Sequence, residues 1–354
     1  MSYFIRNGNT FKVADNESLD IQERLPVGNY TIKQDQFGNM FLEMIDSFEA
    51  PKRLYGDTTK NAGRILNTFL DRTVSTGVLL TGEKGSGKTL LAKTLSIEAA
   101  KQGIPTVIIN SDWHGDQFNK LIQDIDQPCV VLFDEFEKVY DEDTQSSMLT
   151  LLDGVFPSKK LFVLTCNDKW RIDRHMRNRP GRIFYSLEFR GLDHEFIVEY
   201  CNDNLKAKQH IDKICQIASL FSEFNFDMLK ALVEDMNRYD ETPQEVLRLL
   251  NAKPEYDGGS KFTVAVTQNH RVIGEDSIVP SVWEGNPLNP KGVRLDIDTN
   301  PDDPEDSDSW QRVVFLQEHL VNMAPKEGKF VFQNGDVKVT MTRVQEKSFH
   351  WDAF

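Results

Sequence analysis

The sequence predicts an α/β protein whose central part is a parallel β-sheet covered by helices. Within residues 51–190, short apolar runs alternate with amphipathic segments, and a glycine-rich turn joins one of these runs to a helix. The apolar runs are GVLLT, PTVIINS, CVVLFDE and KLFVLTCN. Strands that are apolar over most of their length are typical of parallel sheets that are buried on both faces.

Three further regions flank this core. Residues 1–50 are predicted to be β-rich, because Asn7-Gly8 and a later glycine each separate two strand-like segments. Residues 191–254 contain four short helical patterns and no strand pattern. Residues 255–354 are predicted to form an α+β domain, with strands at TVAV, VRLDI, KFVF and DVKVTMT and a helix at WQRVVFLQEHLVN.

Composition narrows the functional classes. The 354 residues include 41 basic and 55 acidic ones, giving a net charge of −14. This acidity argues against general binding to a nucleic-acid backbone, although a local basic channel remains an alternative. No apolar run approaches the roughly 18 residues of a membrane span. The N-terminus lacks a signal-peptide pattern, and the four cysteines show no CxxC spacing. A cytoplasmic protein with reduced thiols and no membrane partner is therefore predicted.

A phosphate-binding loop is predicted from GEKGSGKT, which fits the pattern G-x-x-x-x-G-K-[S/T] between a strand and a helix. Backbone N–H groups of such a loop surround phosphates, and the helix N-terminus favours negative charge. We expect Lys88 to contact the outer phosphates of ATP and the Thr89 hydroxyl to bind Mg²⁺. The strand before and the helix after make a chance glycine-rich turn the weaker interpretation. The predicted nucleotide-binding residues are Gly82, Glu83, Lys84, Gly85, Ser86, Gly87, Lys88, Thr89 and Leu90.

Two carboxylates end the run CVVLFDE. Asp134 is predicted to hold Mg²⁺ through water, and Glu135 to act as the general base for an attacking water. Acidic residues that merely cap a strand are the alternative. The catalytic interpretation is favoured because the pair ends a buried strand 45 residues after Thr89.

Three more polar residues follow the next strand. Asn167 ends the run KLFVLTCN and could orient the attacking water, although an asparagine that starts a turn fits the local sequence equally well. Arg179 and Arg182 lie in RNRPGR, and a guanidinium suits the charge of a transferring phosphoryl group. An exposed basic loop is the alternative, and spacing alone does not decide whether these arginines act on their own or a neighbouring site.

These motifs, with LLDGV and RIDRHMRNRPGRIFY, resemble those of the AAA ATPases in the AAA+ superfamily. The resemblance spans about residues 51–251 and implies a homo-oligomer, usually a hexameric ring, with ATP at the subunit interfaces. Residues 191–254 would be the four-helix lid. The resemblance assigns Lys88 and Thr89 to the first ATP-binding motif, and Asp134 and Glu135 to the second. It makes Asn167 the sensor asparagine. It makes Arg179 and Arg182 the two arginine fingers, which enter the neighbouring subunit's site.

The resemblance also covers two loops. Tyr55-Gly56 in RLYGD is similar to the family's segment beside the adenine. Trp113-His114-Gly115 stands where translocating members carry an aromatic pore loop. Trp113 would then press on a substrate chain, whereas the alternative is that it packs into the core or caps the next helix.

Three functions are compatible with these residues. The favoured one is ATP-driven remodelling or translocation of a protein substrate, with the substrate or adaptor unidentified. The alternatives are a nucleic-acid-linked AAA+ loader and an assembly scaffold switched by ATP with slow turnover. The whole chain also resembles, more loosely, AAA ATPases of large phages, which would place it in the host cytoplasm.

Overall fold

A computed structural model describes residues 2–7, 10–15, 22–49, 53–153, 159–177, 179–189, 191–219, 221, 224–252, 260–269, 271–298, 309–324 and 327–344, with residues 2–15 described by their backbone alone. The chain forms two compact units. The first consists of residues 1–83 and 87–189, and the second consists of residues 84–86 and 190–354.

The first unit contains nine strands and five helices in its described part. Its strands are β1 (Ser2–Asn7), β2 (Thr10–Asp15), β3 (Asn29–Gln34), β4 (Met40–Ile45), β5 (Thr76–Gly82), β6 (Thr106–Ile109), β7 (Cys129–Phe133), β8 (Lys160–Cys166) and β9 (Tyr185–Phe189). Its helices are α1 (Thr58–Asp71), α2 (Lys88–Lys101), α3 (Gly115–Asp124), α4 (Phe136–Val139) and α5 (Glu142–Leu152). The four predicted apolar runs coincide with β5 to β8.

A seven-stranded sheet organises this unit in the order β4-β3-β6-β7-β8-β5-β9. All neighbours pair in parallel except β3 and β4, which form an antiparallel hairpin. The sequence analysis assigned this hairpin to the N-terminal segment. Because β3 pairs in parallel with β6, the hairpin instead extends the core sheet at one edge. The carboxyl ends of β5, β7 and β8 lie at one edge of the sheet, which brings the predicted site residues together.

The alternation of side chains along each strand supplies the two faces of the sheet. In β5, Val78 and Leu80 pack with α1 and α2, whereas Leu79 packs on the opposite face with α3 and α5. In β8, Leu161 and Val163 face the first side, and Phe162 and Leu164 face the second. Burial on both faces explains why these strands carry no polar alternation.

The second unit begins with four helices: α6 (His194–Asn204), α7 (Ile211–Ala218), α8 (Phe226–Tyr239) and α9 (Pro243–Leu249). The prediction of four short helices here is confirmed. Side chains of Asp193, Asn225 and Thr242 accept N-terminal N–H groups of α6, α8 and α9, which explains where these helices start. Residues 84–86 belong to this unit, where Gly85 O accepts a hydrogen bond of 3.0 Å from Phe226 N–H.

The rest of the second unit is built from antiparallel strands: β10 (Lys261–Gln268), β11 (Arg271–Val272), β12 (Ile278–Val279), β13 (Val282–Glu284), β14 (Val293–Asp298), β15 (Trp310–Phe315), β16 (Leu320–Ala324), β17 (Lys329–Asn334) and β18 (Val337–Arg343). They form a six-stranded and a three-stranded sheet. The four predicted strand sequences overlap β10, β14, β17 and β18. The predicted hairpin at Asn334-Gly335 joins β17 to β18.

The prediction of a helix at WQRVVFLQEHLVN is wrong. This segment forms β15, a short 3₁₀ turn at Gln317–His319, and β16. The spacing of its apolar residues is compatible with a helix and with a strand. Strand pairing favours the strand, because β15 pairs with β14 and Phe315 is buried opposite Val293. The described part of residues 255–354 is therefore all-β with short 3₁₀ turns, and not α+β.

Two predictions about the whole chain can be compared with the structure. All four cysteines are buried free thiols, as the absence of CxxC spacing predicted. Among the residues the structure describes, none of the helices is long and apolar enough to cross a membrane.

Candidate nucleotide-binding site

The loop between β5 and α2 has the backbone shape that a phosphate requires. Gly82 has φ of 134°, and a Cβ at this position would lie 2.0 Å from Phe189 O. Gly87 has φ of 104° and immediately precedes α2. Side chains at either position would strain the backbone, and at Gly82 they would also collide with β9. Glycine is thus required at both positions for the backbone to make this turn.

Lys88 is the first residue of α2 and is 6% exposed. Its ammonium donates hydrogen bonds to Gly82 O at 2.6 Å, Glu83 O at 2.7 Å and Asn167 Oδ1 at 3.1 Å. Burial lowers the pKa of Lys88, and the carboxylate of Glu137 acts in the opposite direction. A buried ammonium held by loop carbonyls can exchange these acceptors for phosphate oxygens.

The remaining loop residues also fit a nucleotide. Ser86 Oγ is buried and has no hydrogen-bond partner among the described residues, so a phosphate oxygen would satisfy it. Thr89 is exposed, which leaves its hydroxyl accessible to Mg²⁺. Glu83 and Lys84 are exposed, and Leu90 is half-buried.

The two acidic residues at the end of β7 both form hydrogen bonds with a threonine that was not predicted as a site residue. Thr165 Oγ1 donates to Asp134 Oδ1 at 2.7 Å and accepts from Glu135 N–H at 2.9 Å. Glu135 has φ of 49° and ψ of 46°, a left-handed conformation that is strained for a residue with a side chain. Its carboxylate forms an ion pair with Lys138. The Thr165 hydroxyl therefore stabilises both the strained backbone and the orientation of Asp134.

We expect Thr165→Val to lower the free energy of unfolding by about 1–3 kcal/mol, because the change leaves the N–H of Glu135 without its acceptor. ATP turnover should fall as well, since Asp134 loses its hydrogen bond. The control is Thr94→Val. Thr94 is equally buried, but its hydroxyl donates only to Leu90 O within α2. Chemical denaturation and phosphate release measure both variants, and equal effects in the two would contradict this role.

Asn167 follows β8 and lies beside the loop lysine. Glu137 Oε1 accepts hydrogen bonds from the Asn167 backbone N–H and from Asn167 Nδ2, each at 2.9 Å. Glu137 was also missed in the sequence analysis. Its position three residues after Asp134, on the first turn after β7, is the signal that could have found it.

The two predicted arginine fingers have different environments. Arg182 is 8% exposed, and its Nε and one terminal amino group donate to the two carboxylate oxygens of Asp153 at 2.5 and 2.6 Å. A further hydrogen bond of 2.9 Å reaches His175 O. Arg179 is exposed, and its guanidinium has no hydrogen bond or ion pair with any residue in the described ranges. This arrangement is compatible with a finger at Arg179 and disagrees with one at Arg182, which binds within its own subunit.

Tyr55 and Gly56 form a turn just before α1. Gly56 has φ of 61°, and Tyr55 O accepts a hydrogen bond of 3.2 Å from Thr58 Oγ1. The Arg53 guanidinium lies 5.2 Å from the centre of the Tyr55 ring. Contact between this turn and an adenine stays a prediction.

The predicted pore loop has its aromatic residue turned inward. Trp113 is half-buried and packs against the hydrophobic cluster on the α3–α5 face of the sheet. Its carbonyl accepts a hydrogen bond of 2.9 Å from the Tyr140 hydroxyl. His114 is exposed, and Gly115 begins α3 with φ of 83°. This placement agrees with the alternative in which Trp113 packs into the core, and disagrees with a side chain that projects into a pore.

The parallel sheet and the glycine loop at the end of β5 define a P-loop nucleotide-binding domain. Sequence comparison specifies it further: residues 78–190 match the family described as ATPase family associated with various cellular activities (AAA). The chain is therefore similar to the AAA ATPases through residues 78–190.

Curated relatives are also similar to part of the chain. The ATP-dependent zinc metalloprotease FtsH of Heterosigma akashiwo is 28% identical over 142 residues, covering 32% of this chain and 20% of that protein. The peroxisomal ATPase PEX1 of Homo sapiens is 28% identical over 181 residues, covering 45% of this chain and 14% of that protein. The cell division cycle protein 48 homologue of Archaeoglobus fulgidus is 29% identical over 160 residues, covering 39% and 21%. The similarity therefore covers between 14% and 21% of the length of each of these relatives.

Proposed function

We propose that this protein is a Mg²⁺-dependent ATPase. The observation that carries the proposal is the buried Lys88 ammonium, held between two loop carbonyls and Asn167. This geometry puts a positive charge at the base of a glycine loop and a polar side chain beside it. The match of residues 78–190 to the AAA ATPase family supports ATP as the nucleotide.

The residues around the loop have distinct roles in this proposal. Thr89 and Asp134 would hold Mg²⁺, which when bound neutralises phosphate charge. Glu135 would accept a proton from the attacking water as the water oxygen bonds to the γ-phosphorus and the bond to the bridging oxygen breaks. Lys88 would stabilise the charge on the phosphate oxygens, and Asn167 would orient the water.

We expect Lys88→Met to abolish ATP binding and hydrolysis, because the variant keeps the apolar stem and removes the buried positive charge at the base of the loop. Phosphate release and binding of a fluorescent ATP analogue measure the two effects. Lys101→Met is the matched control, since Lys101 is an exposed residue at the other end of α2. Chelation of Mg²⁺ should stop hydrolysis by the wild type.

A wild type that releases no phosphate with ATP and Mg²⁺ would contradict the proposed activity. Full hydrolysis by Lys88→Met would contradict the assignment of the site. Loss of activity in both lysine variants would point to a general effect of charge on the helix, and not to phosphate binding.

We further propose a homo-oligomeric ring in which Arg179 acts on the neighbouring subunit's ATP. Support comes from the exposed guanidinium of Arg179 within the described structure and from the family resemblance. An arginine that enters from a neighbour makes hydrolysis depend on assembly. The active species would then be the oligomer.

A protein is the substrate class that we propose. Several relatives are named as metalloproteases, a class that acts on proteins. The net charge of −14 disfavours a nucleic-acid backbone as the general ligand. The inward position of Trp113 means that this proposal does not depend on an aromatic pore residue.

A further inference from the structure

Glu137 lies on the turn that follows the catalytic carboxylates, and one of its oxygens holds the sensor asparagine. Oε1 accepts from the backbone N–H of Asn167 and from its side-chain Nδ2, each at 2.9 Å. These two donors belong to one residue, so a single carboxylate oxygen fixes both the end of β8 and the side chain that follows it.

The partners of Asn167 define the orientation of its amide. Nδ2, which can only donate, faces the Glu137 carboxylate, which can only accept. Oδ1, which can only accept, lies 3.1 Å from the Lys88 ammonium, which can only donate. A flipped amide would bring donor to donor at Lys88 and acceptor to acceptor at Glu137. The arrangement is therefore determined by chemistry as well as by shape.

The second oxygen of Glu137 makes this position unusual. Oε2 is buried and forms no hydrogen bond with any residue in the described part of the chain. A buried carboxylate oxygen without a partner is unfavourable, and the nearby Lys88 ammonium, whose pKa the Glu137 charge raises, offsets part of this cost. Positioning of Asn167 is the contribution that the contacts show.

We propose that Glu137 is a positioning residue for ATP hydrolysis, which orients Asn167 so that Oδ1 faces Lys88 and the attacking water. The inference rests on the proposed ATPase activity. When the Lys88 ammonium turns to phosphate, Asn167 Oδ1 gains capacity to accept a hydrogen bond from the water. Glu137 keeps Nδ2 in place during this exchange, so the amide does not have to reorient.

Substitution of Glu137 tests this role. Glu137→Ala removes the oxygen that accepts both hydrogen bonds from Asn167, and we expect kcat to fall by up to about 10²-fold, as it does when reacting groups are slightly misplaced. The KM for ATP should change little, since the loop and Lys88 remain. Glu137→Gln keeps an acceptor oxygen for both donors of Asn167 and should retain most of kcat. Glu142→Ala, at an exposed position at the start of α5, is the control.

A double-mutant cycle separates positioning from a general structural role. In the Asn167→Ala background, Glu137→Ala should cause little further loss of kcat, because its target side chain is already gone. Thermal unfolding of the same four proteins checks that each is folded. Nucleotide binding by the single variants checks that the loop is intact.

Several results would overturn the inference. The first is a normal kcat in Glu137→Ala, and the second is an equal loss of kcat in Glu137→Gln and Glu137→Ala. The third is a loss of kcat in the double variant that equals the product of the losses in Glu137→Ala and Asn167→Ala. A wild type without ATPase activity would instead overturn the proposed function, and this role with it. If the wild type is active and substitution of Glu137 does not change kcat, only the positioning role of Glu137 would be overturned.

Discussion

Glu135→Gln is expected to stop ATP hydrolysis while ATP binding remains intact. The amide keeps the size of the carboxylate but cannot accept a proton from water, and loss of a general base costs about 10²- to 10⁴-fold in rate. The backbone at Glu135 is held by Thr165 Oγ1, a contact that the substitution leaves unchanged. The variant should therefore fold normally and retain ATP.

Phosphate release, ATP-analogue binding and particle mass should be measured side by side for the wild type and Glu135→Gln with ATP and Mg²⁺. We expect the variant to accumulate as a ring with ATP bound, whereas the wild type turns over. Such a ring would also retain an unfolded polypeptide added as a test substrate, in ATP and not in ADP. Glu142→Gln, an exposed carboxylate on α5, is the control.

Two results would contradict parts of this account. Undiminished ATP hydrolysis by Glu135→Gln would contradict the role of Glu135 as the general base. A wild type that is fully active as a monomer would leave Arg179 without a neighbouring site. It would contradict both the ring and the ATP-driven remodelling of a protein substrate by that ring.

Arg179→Ala is expected to lower the ATPase rate, whereas Arg182→Ala is expected to lower the stability of the fold. Arg179 is exposed, so its loss should leave stability unchanged and lower the ATPase rate by about 10³- to 10⁵-fold, the range for an arginine that acts on a neighbouring site. Arg182 is buried on Asp153, so its loss should lower the free energy of unfolding by about 1–3 kcal/mol. Any loss of activity in Arg182→Ala would follow from the altered loop.

The ion pair also predicts a pH dependence. Hydrogen bonds from Arg182 lower the pKa of Asp153 below its ordinary value. A carboxyl whose pKa is lowered on folding stabilises the protein above the unfolded pKa, about 3.9, and loses this contribution as pH falls through the folded value. The stability difference between the wild type and Arg182→Ala should therefore be constant near neutral pH and shrink below about pH 4.

Denaturation and steady-state ATPase assays distinguish the two arginines. Mixing Arg179→Ala with Lys88→Met should restore part of the activity, because some interfaces then combine an intact ATP site with an intact arginine. An unstable Arg179→Ala, or an Arg182→Ala that is stable and inactive, would reverse the two roles.

Short-range patterns were sufficient for much of the fold and for part of the site. The runs that became β5, β7 and β8 are apolar throughout because both faces of the sheet are covered. The loop glycines and Lys88 could be placed because a strand, a tight turn and a helix are consecutive in the chain. Asp134 and Glu135 followed from their position at the end of a buried strand.

Contacts between distant parts of the chain determined what local patterns left open. Thr165 and Glu137 each bind a partner about 30 residues away in the sequence, and these contacts form only in the folded chain. Arg182 looks like a second finger in RNRPGR, and only its bonds to Asp153 show that it is internally bound. Trp113 likewise fits a pore or a core until its packing is known.

By itself, then, the sequence determined the strands and helices of the core, the four-helix region and the position of the glycine loop, because these depend on hydrophobic periodicity and on residues close together in the chain. Tertiary structure decided the all-β character of the C-terminal region, where strand pairing outweighed a helical pattern at Trp310–Phe315. Tertiary structure also decided which polar side chains form hydrogen bonds within the fold and which are exposed to solvent, since burial and hydrogen-bond partners are properties of the folded chain.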